Sequence, residues 1–192
     1  MISKDQANQS NILHTLQVLS ASKVFWITAF AILTALSAQI AIPVKPVPFT
    51  LQTLFVLLSG AFLGSRNGAY SQFLYLFMGI AGLPVFAQIP DAPLGFSRLI
   101  GPTGGYLLAF PVAAFLVGYL IEKRKNYWSI VATMFIGEMV IIFVGILHLK
   151  TFYVQNFEEA LKVGAAIFSI WMVVKVFIAA TVFFGISGSD KK

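Results

Sequence analysis

Two ionisable residues, Glu138 and Lys175, lie deep inside long apolar segments and are the first candidates for chemistry. Glu138 follows the start of one segment at Tyr127 by 11 residues, and Lys175 follows the start of the next at Val163 by 12. At about 1.5 Å per residue, both are expected roughly 16–18 Å into a helix, at similar depth. A charge at such a depth in a membrane is expected to face the bundle interior and to have a partner.

Three interpretations of this pair stay open. Glu138 and Lys175 can form a structural ion pair between neighbouring helices, the usual arrangement for intramembrane charges. Lys175 can instead bind the carboxylate of a solute. Glu138 then either tunes Lys175 or accepts hydrogen bonds from N–H groups of the solute. Glu138 can also carry the proton of a proton-coupled transporter, because proton relays use intramembrane carboxylates.

Patterns typical of catalysis and metal binding are absent from the sequence. There is no cysteine, which excludes disulfides, thiolate nucleophiles and thiolate metal sites. Neither His14 nor His148 has a second histidine or a carboxylate at metal-ligand spacing. The dipeptide Gly-Lys does not occur, so the phosphate-cradling nucleotide loop is missing. We therefore predict no catalytic residue, no metal and no cofactor, and we assign any ATP hydrolysis to another polypeptide.

The composition indicates a membrane protein. Of the 192 residues, 58% are apolar, 10% are charged and 19 are Phe. A soluble domain carries charge on about a quarter of its residues. The formal charge of +6 comes largely from basic residues in loops between apolar segments. That placement favours orientation in a bilayer over binding of nucleic acid.

Six apolar segments approach or reach the length of about 20 residues that crosses a bilayer. They run over residues 24–42, 51–64, 68–83, 102–121, 127–149 and 163–186, the second and third being short. We therefore predict an all-α fold, a membrane bundle of six transmembrane helices over residues 23–188, with a tail at 189–192. Residues 1–22 form a cytoplasmic segment whose pattern fits a surface amphipathic helix or disorder.

The distribution of basic residues predicts that both termini are cytoplasmic. In that orientation eight Lys and Arg lie on the cytoplasmic side and four lie in outer loops. Loops 43–50, 84–101 and 150–162 then share the outer face. The second of these is longer than loops usually are unless they are functional or disordered. Three ordered loops on one face can roof a cavity.

Small residues recur at helical spacing in two places. The first segment carries Thr28, Ala31, Ala35 and Ala38 on one face, and Gly60, Gly64 and Gly68 form a second ladder. Such faces let helices approach closely in lipid. Packing inside the bundle explains either ladder, and a flat alanine face can also dock a partner subunit.

Three motifs together resemble a known family. They are PFTLQTL at residues 48–54, GLPVFA at 82–87 and GPTGGYL at 101–107. In this order and at these spacings they resemble the BioY family, the substrate-binding S components of energy-coupling factor (ECF) biotin transporters. The similarity is strong over residues 24–121 and weak over the last two helices.

This resemblance implies a six-helix bundle in the bacterial plasma membrane that captures biotin from outside with high affinity. Biotin is then the transported ligand and not a cofactor. It implies as partners a membrane coupling subunit and two cytoplasmic ATPase subunits. S components dock on the coupling subunit through a small-residue face of the first helix, a pattern that Ala31 and Ala35 match. The alternative is a secondary transporter of a carboxylate-bearing solute, driven by protons through Glu138. A membrane-embedded enzyme is a third class, for which no catalytic constellation exists.

The sixth segment departs from the family pattern Pro-x-Asp-x-x-Lys. Lys175 matches its Lys, whereas Ile170 and Met172 stand at the Pro and Asp positions. Our hypothesis is that Glu138, at matching depth on the neighbouring helix, takes over the role of the missing carboxylate. Unchanged biotin affinity in a Glu138→Gln variant would refute it.

The chemistry of biotin suggests roles for the remaining candidates. The ureido ring needs amide, hydroxyl or carboxylate partners, which Gln52, Thr50 and Thr103 offer. The aliphatic tail and thioether ring need aromatic walls, for which the candidates are Phe49, Tyr75, Phe86 and Tyr106. Packing or an interfacial belt explains these aromatics equally well. The carboxylate needs a cation, Arg98 or Lys175. Gly104 and Gly105 are expected to let a helix N-terminus approach the ligand.

Overall fold

The computed structural model of the protein describes residues 22–42, 47–88, 94–123, 126–154, 156, 158, 161 and 170–189. Its helices over these residues are α1 (Lys23–Ala38), α2 (Gln52–Ile80), α3 (Ser97–Ile100), α4 (Gly104–Lys123), α5 (Tyr127–Phe152) and α6 (Ile170–Ser189). Two short strands, β1 (Ala41–Ile42) and β2 (Phe49–Thr50), pair antiparallel. The helix considered for residues 1–22 lies outside the described residues, apart from Ser22.

The fold is mostly helical, as predicted, and over the described residues it also contains the short β1–β2 ladder. Helix α1 ends at Ala38, short of the expected end at Ile42. Ile42 precedes a proline, and the residue before proline is sterically biased towards extended backbone. The extended chain then pairs in register, Ala41 with Thr50 and Ile42 with Phe49. This ladder fixes the start of the PFTLQTL motif against the end of α1.

Helix α2 is a hairpin of two helical arms rather than one straight rod. Gly64 has φ 76° and ψ 178°, a conformation that is essentially restricted to glycine. A Cβ on Gly68 would lie 2.7 Å from Cα of Gly60, whereas residues eight apart along a straight helix are separated by about 12 Å. The two arms, residues 52–63 and 65–80, correspond to the two short apolar segments of the sequence.

The glycines of α2 pack against α4. A Cβ on Gly60 would lie 2.2 Å from the carbonyl oxygen of Ala114, and a Cβ on Gly118 would lie 2.4 Å from the backbone N of Ser65. Gly64 is the turn itself, so Gly60, Gly64 and Gly68 do not form a ladder on one continuous helix face. Their role is the close approach of backbones inside the bundle, which drives helix packing in lipid.

Helix α1 turns its small residues inward. Ala31 and Ala38 are fully buried. Ala35 is half-buried and packs against the hydrophobic core cluster that contains Ala31. Ala31 therefore lies on the inner face of α1 in this conformation, and docking of a partner subunit through Ala31 and Ala35 stays a prediction. The small side chains allow α1 to approach α2, whose Gln72 amide donates to Thr34 of α1 at 3.3 Å.

The outer surface of the bundle is apolar. Three described helices are long and apolar enough to cross a membrane: α4, α5, and α6 over Ile170–Ser187. Helix α1 is apolar but shorter. Large apolar side chains stand exposed on these helices, among them Phe143 and Trp128, at 69% and 71% exposure. Exposed apolar surface of this extent marks contact with lipid or protein rather than water.

Candidate functional site

A partly enclosed cavity lies where α2, α4, α5 and α6 meet the segments around residues 47–50, 86–87 and 98. Its lining consists of Val47, Pro48, Phe49, Thr50, Gln52, Thr53, Phe86, Ala87, Arg98, Thr103, Tyr106, Leu107, Phe110, Glu138, Ile141, Ile142 and Lys175. Its free space is about 50 Å³, and a single water needs roughly 10–15 Å³ by that measure. A guest larger than a few waters therefore requires the wall to move.

The cavity brings together nine of the ten residues predicted to bind a solute. They are Phe49, Thr50, Gln52, Phe86, Arg98, Thr103, Tyr106, Glu138 and Lys175. The tenth, Tyr75, is fully buried behind the wall. The residues come from five helices (α2 to α6), the β2 strand and two loop segments, so the fold brings together distant parts of the chain. Their contacts with a solute stay predictions.

Glu138 and Lys175 form a buried ion pair inside this cavity. Lys175 Nζ lies 3.2 Å from Oε1 of Glu138, and the side chains are 5% and 0% exposed. The hydroxyl of Thr53 stands between them, because it donates to Oε1 of Glu138 at 2.9 Å and accepts from Lys175. Lys175 also donates to the carbonyl oxygen of Thr50 at 3.5 Å. The structural ion pair considered from the sequence is present, and it forms one wall of the cavity.

Tyr75 has a different place from the one expected of it. Its hydroxyl accepts from Nε2 of Gln52 at 2.6 Å and donates to the carbonyl oxygen of Val85 at 3.3 Å. Its ring packs edge-on against Phe86 with centroids 5.5 Å apart. Tyr75 therefore supports the wall from behind instead of forming it. Gln52, whose Oε1 accepts from Thr50 at 3.0 Å, is held by the same chain of hydrogen bonds.

Arg98 enters the cavity from the short helix α3. Its side chain is 5% exposed, and Nη2 donates to the carbonyl oxygen of Ala87. Burial lowers the pKa of the guanidinium, with the nearby Tyr75 acting in the opposite direction. An arginine nonetheless stays protonated in proteins. Arg98 is therefore a fixed buried cation with one N–H group already used.

The C-terminal end of α5 holds α3 in place. Nε2 of His148 lies 3.1 Å from the carbonyl oxygen of Gly101, and because a carbonyl only accepts, the histidine donates. The hydroxyl of Tyr153 donates to the carbonyl oxygen of Ile100. These two contacts position the segment that carries Arg98. Neither was predicted, because their partners are backbone carbonyls, which leave no mark in a sequence.

Gly104 and Gly105 allow helix α4 to pack closely against its neighbours. A Cβ on Gly104 would lie 1.7 Å from the carbonyl oxygen of Leu99, and a Cβ on Gly105 would lie 2.3 Å from Cβ of His148. Both positions thus bring α4 against α3 and α5. The approach of this helix N-terminus to a ligand stays a prediction.

Four residues that line the cavity each carry a buried polar atom without a hydrogen-bond partner. These atoms are Arg98 Nε, Thr103 Oγ1, Tyr106 OH and Glu138 Oε2. Over the described part of the chain, a fifth such atom, Oε1 of Gln72, lies away from the cavity. Native proteins leave few buried polar groups unpaired. A cluster of four around one apolar-walled cavity therefore indicates a polar guest.

Sequence reasoning missed several lining residues. Leu107, Phe110, Ile141 and Ile142 read as ordinary core residues. Thr53 had a usable signal, because it belongs to the PFTLQTL motif that also contains the candidates Thr50 and Gln52. No cluster of three His, Cys, Asp or Glu suited to a metal ion occurs among the described residues.

Comparisons with known proteins agree on one family. The model of the BioY family matches residues 8–190. A biotin transporter BioY of Thermotoga maritima is 39% identical over 80% of this chain and 88% of its own length. A probable biotin transporter BioY of Pyrococcus horikoshii is 35% identical over 85% of this chain and 95% of its own length.

A solved structure supports the fold. It is the S-component for biotin from an ECF-type ABC transporter, and it superimposes with a TM-score of 0.79 over 98% of this chain and 95% of its own. Its sequence identity of 19% shows the fold alone. The family match over nearly the whole chain and the two relatives above 30% identity lead to one conclusion: this chain belongs to the BioY family.

Proposed function

We propose that this protein binds biotin with high affinity as the substrate-binding subunit of an ATP-driven ECF transporter. The observation that carries the proposal is the cluster of four unpartnered polar atoms around one apolar-walled cavity. Ligand sites typically have this construction, mostly apolar walls with a few placed polar groups. Relatives named as biotin transporters identify biotin as the candidate guest.

The free polar atoms suggest an orientation for biotin. Lys175 has three N–H groups, and three acceptors already lie within reach: Thr50 O, Thr53 Oγ1 and Glu138 Oε1. Arg98 is a buried cation with a free Nε–H. We therefore assign the biotin carboxylate to Arg98 rather than to Lys175.

The ureido ring then meets the remaining unpartnered atoms. Its two N–H groups are donors, and Oε2 of Glu138 is a free acceptor. Its carbonyl oxygen is an acceptor, which the hydroxyls of Thr103 and Tyr106 complement. In this arrangement Glu138 supplies the carboxylate that the sixth helix lacks.

Equilibrium binding to the detergent-purified chain tests this function. We expect biotin to bind, and biotinamide, which lacks the negative charge, to bind at least about tenfold more weakly because it loses a charge-assisted bond to Arg98. No measurable affinity for biotin would overturn the proposal. Equal affinities for the two ligands would overturn the assignment of the carboxylate to Arg98.

The partners in this proposal are a membrane coupling subunit and two cytoplasmic ATPase subunits, as the resemblance to ECF S components implies. Uptake of biotin by cells is expected to need them and to resist a protonophore in the short term. The rival function is proton-coupled transport through Glu138. Uptake by this chain alone that a protonophore abolishes would favour that rival.

We further propose six membrane spans in the plasma membrane, with both termini cytoplasmic. Support comes from the loop charges and from the hairpin of α2, whose Gly64 turn precedes the exposed Arg66.

Because the chain has no cysteine, single cysteines report topology cleanly. We expect Leu94→Cys to react with a membrane-impermeant maleimide in intact cells, and Arg66→Cys to react only after permeabilisation. The reverse pattern would invert the topology.

A further inference from the structure

The wall formed by Glu138 and Lys175 contains a third polar residue, Thr53, whose hydroxyl has a fixed orientation. An ammonium group cannot accept a hydrogen bond and an ionised carboxylate cannot donate one. The single O–H of Thr53 therefore points at Oε1 of Glu138, 2.9 Å away, and its lone pair faces Lys175. The two neighbours decide where the proton of this hydroxyl lies.

This arrangement saturates one oxygen of Glu138 and leaves the other free. Oε1 accepts from both Thr53 and Lys175, at 2.9 and 3.2 Å. Oε2 is buried without a partner. Lys175 meanwhile has its three N–H groups directed at Thr50 O, Thr53 Oγ1 and Glu138 Oε1. This corner of the cavity therefore offers an acceptor and no spare donor.

We propose that Thr53 is a specificity-determining, positioning residue: its hydroxyl holds the Glu138–Lys175 pair so that Oε2 of Glu138 receives an N–H group of the solute and this corner rejects carboxylates. The inference rests on the proposed function, and it adds a residue with a stated role to that site. The chemical class recognised here is a neutral N–H donor such as a urea. A carboxylate placed at the same corner would face Oε2 with like charge.

The burial of the residues around Thr53 supports a role in positioning. Thr53 itself is half-buried, whereas Glu138 and Lys175 are 0% and 4% exposed. Thr53 lies on the first arm of α2, and its two partners lie on α5 and α6. Its hydroxyl is thus a polar link among three helices. Without it, the Glu138 carboxylate loses a donor, and its Oε2 is no longer held at one place in the wall.

The test compares Thr53→Val, which keeps the shape and removes the hydroxyl, with Thr53→Ser, which keeps the hydroxyl. We expect Thr53→Val to lose roughly tenfold in affinity for biotin and for biotinamide alike, because a bond to a charged group is lost. Thr53→Ser should stay within about threefold of the wild type. Arg98→Gln is the contrast variant, expected to weaken biotin but not biotinamide.

Biotin methylated at each ureido nitrogen in turn completes the cycle. One of the two analogues should bind the wild type poorly and lose little further affinity in Thr53→Val, because both changes remove the same contact. The weak binding of one analogue to the wild type can be measured without any variant, so the N–H contact at this corner is testable even if Thr53→Val folds poorly.

Three outcomes would overturn the inference while biotin still binds the wild type. The first is unchanged affinity in Thr53→Val, and the second is a loss confined to biotin and absent for biotinamide, which would place the carboxylate at this corner. The third is a Thr53→Ser variant as weak as Thr53→Val, which would assign the effect to the methyl group. Absence of biotin binding by the wild type is a separate result and overturns the proposed function itself.

Discussion

Replacing Lys175 with methionine is expected to destabilise the folded protein by about 3–5 kcal/mol, the cost of removing one partner of a buried ion pair. Glu138 is 0% exposed, and Lys175 Nζ lies 3.2 Å from its Oε1. Methionine fills a similar volume, so a cavity contributes little to the effect. The carboxylate would keep only the hydrogen bond from Thr53. The midpoint of thermal unfolding in detergent, followed by size-exclusion chromatography, measures the loss.

A double variant separates charge from packing in this prediction. Adding Glu138→Gln to Lys175→Met removes both charges, and replacing a whole buried pair with neutral groups is often close to neutral for stability. We expect the double variant to recover most of the lost stability and to remain defective in biotin binding, since the acceptor at position 138 is weakened. A single Lys175→Met variant as stable as the wild type would contradict this account of the ion pair.

The second large effect is expected at a glycine, where Gly60→Ala should destabilise the bundle by about 1–3 kcal/mol. The added Cβ would lie 2.2 Å from the carbonyl oxygen of Ala114. That atom belongs to the backbone of α4, so the two helices must separate. Alanine otherwise favours a helix over glycine by roughly 1 kcal/mol, and the steric clash has to exceed this gain. Thermal unfolding in detergent reports the difference.

Gly185→Ala is the matched control for this change. Gly185 also lies inside a helix, α6, but a Cβ there would meet no atom within 4 Å. The control should be neutral or slightly stabilising, up to roughly 1 kcal/mol, from helix propensity alone. Equal effects of Gly60→Ala and Gly185→Ala would show that close approach of α2 to α4 is not what requires glycine at position 60.

The depth of Glu138 and Lys175 was predictable because a helix has a fixed rise per residue. Two charges counted from the starts of two apolar segments were expected at similar depth, and Lys175 Nζ lies 3.2 Å from Oε1 of Glu138 in the structure. The cost of a charge in an apolar interior makes a partner close to obligatory. The rise per residue and the cost of a buried charge do not depend on the tertiary structure, so the sequence is enough to apply them.

The rotation of helices about their own axes was not predictable. Ala31 matched a docking pattern, and its side chain lies on the inner face of α1. Tyr75 matched an aromatic wall and supports that wall from behind. In a soluble protein, the contrast between polar and apolar faces reports which side is inside. In a bundle with an apolar exterior this contrast is weak, because lipid-facing and core-facing positions are both apolar.

The amino-acid sequence alone determined that the chain is apolar enough for a membrane, where most of its helices lie, which two charges lie at similar depth, and the family its motifs resemble. Only the tertiary structure showed that one cavity is lined by Arg98, Thr103, Tyr106 and Glu138, each with an unpartnered polar atom. It alone also showed that the Thr53 hydroxyl bonds to the ion pair. The physical reason is that those relations depend on backbone carbonyls and on contacts between distant segments. Composition and spacing describe neighbours along the chain, whereas many hydrogen bonds join residues that are distant in the sequence.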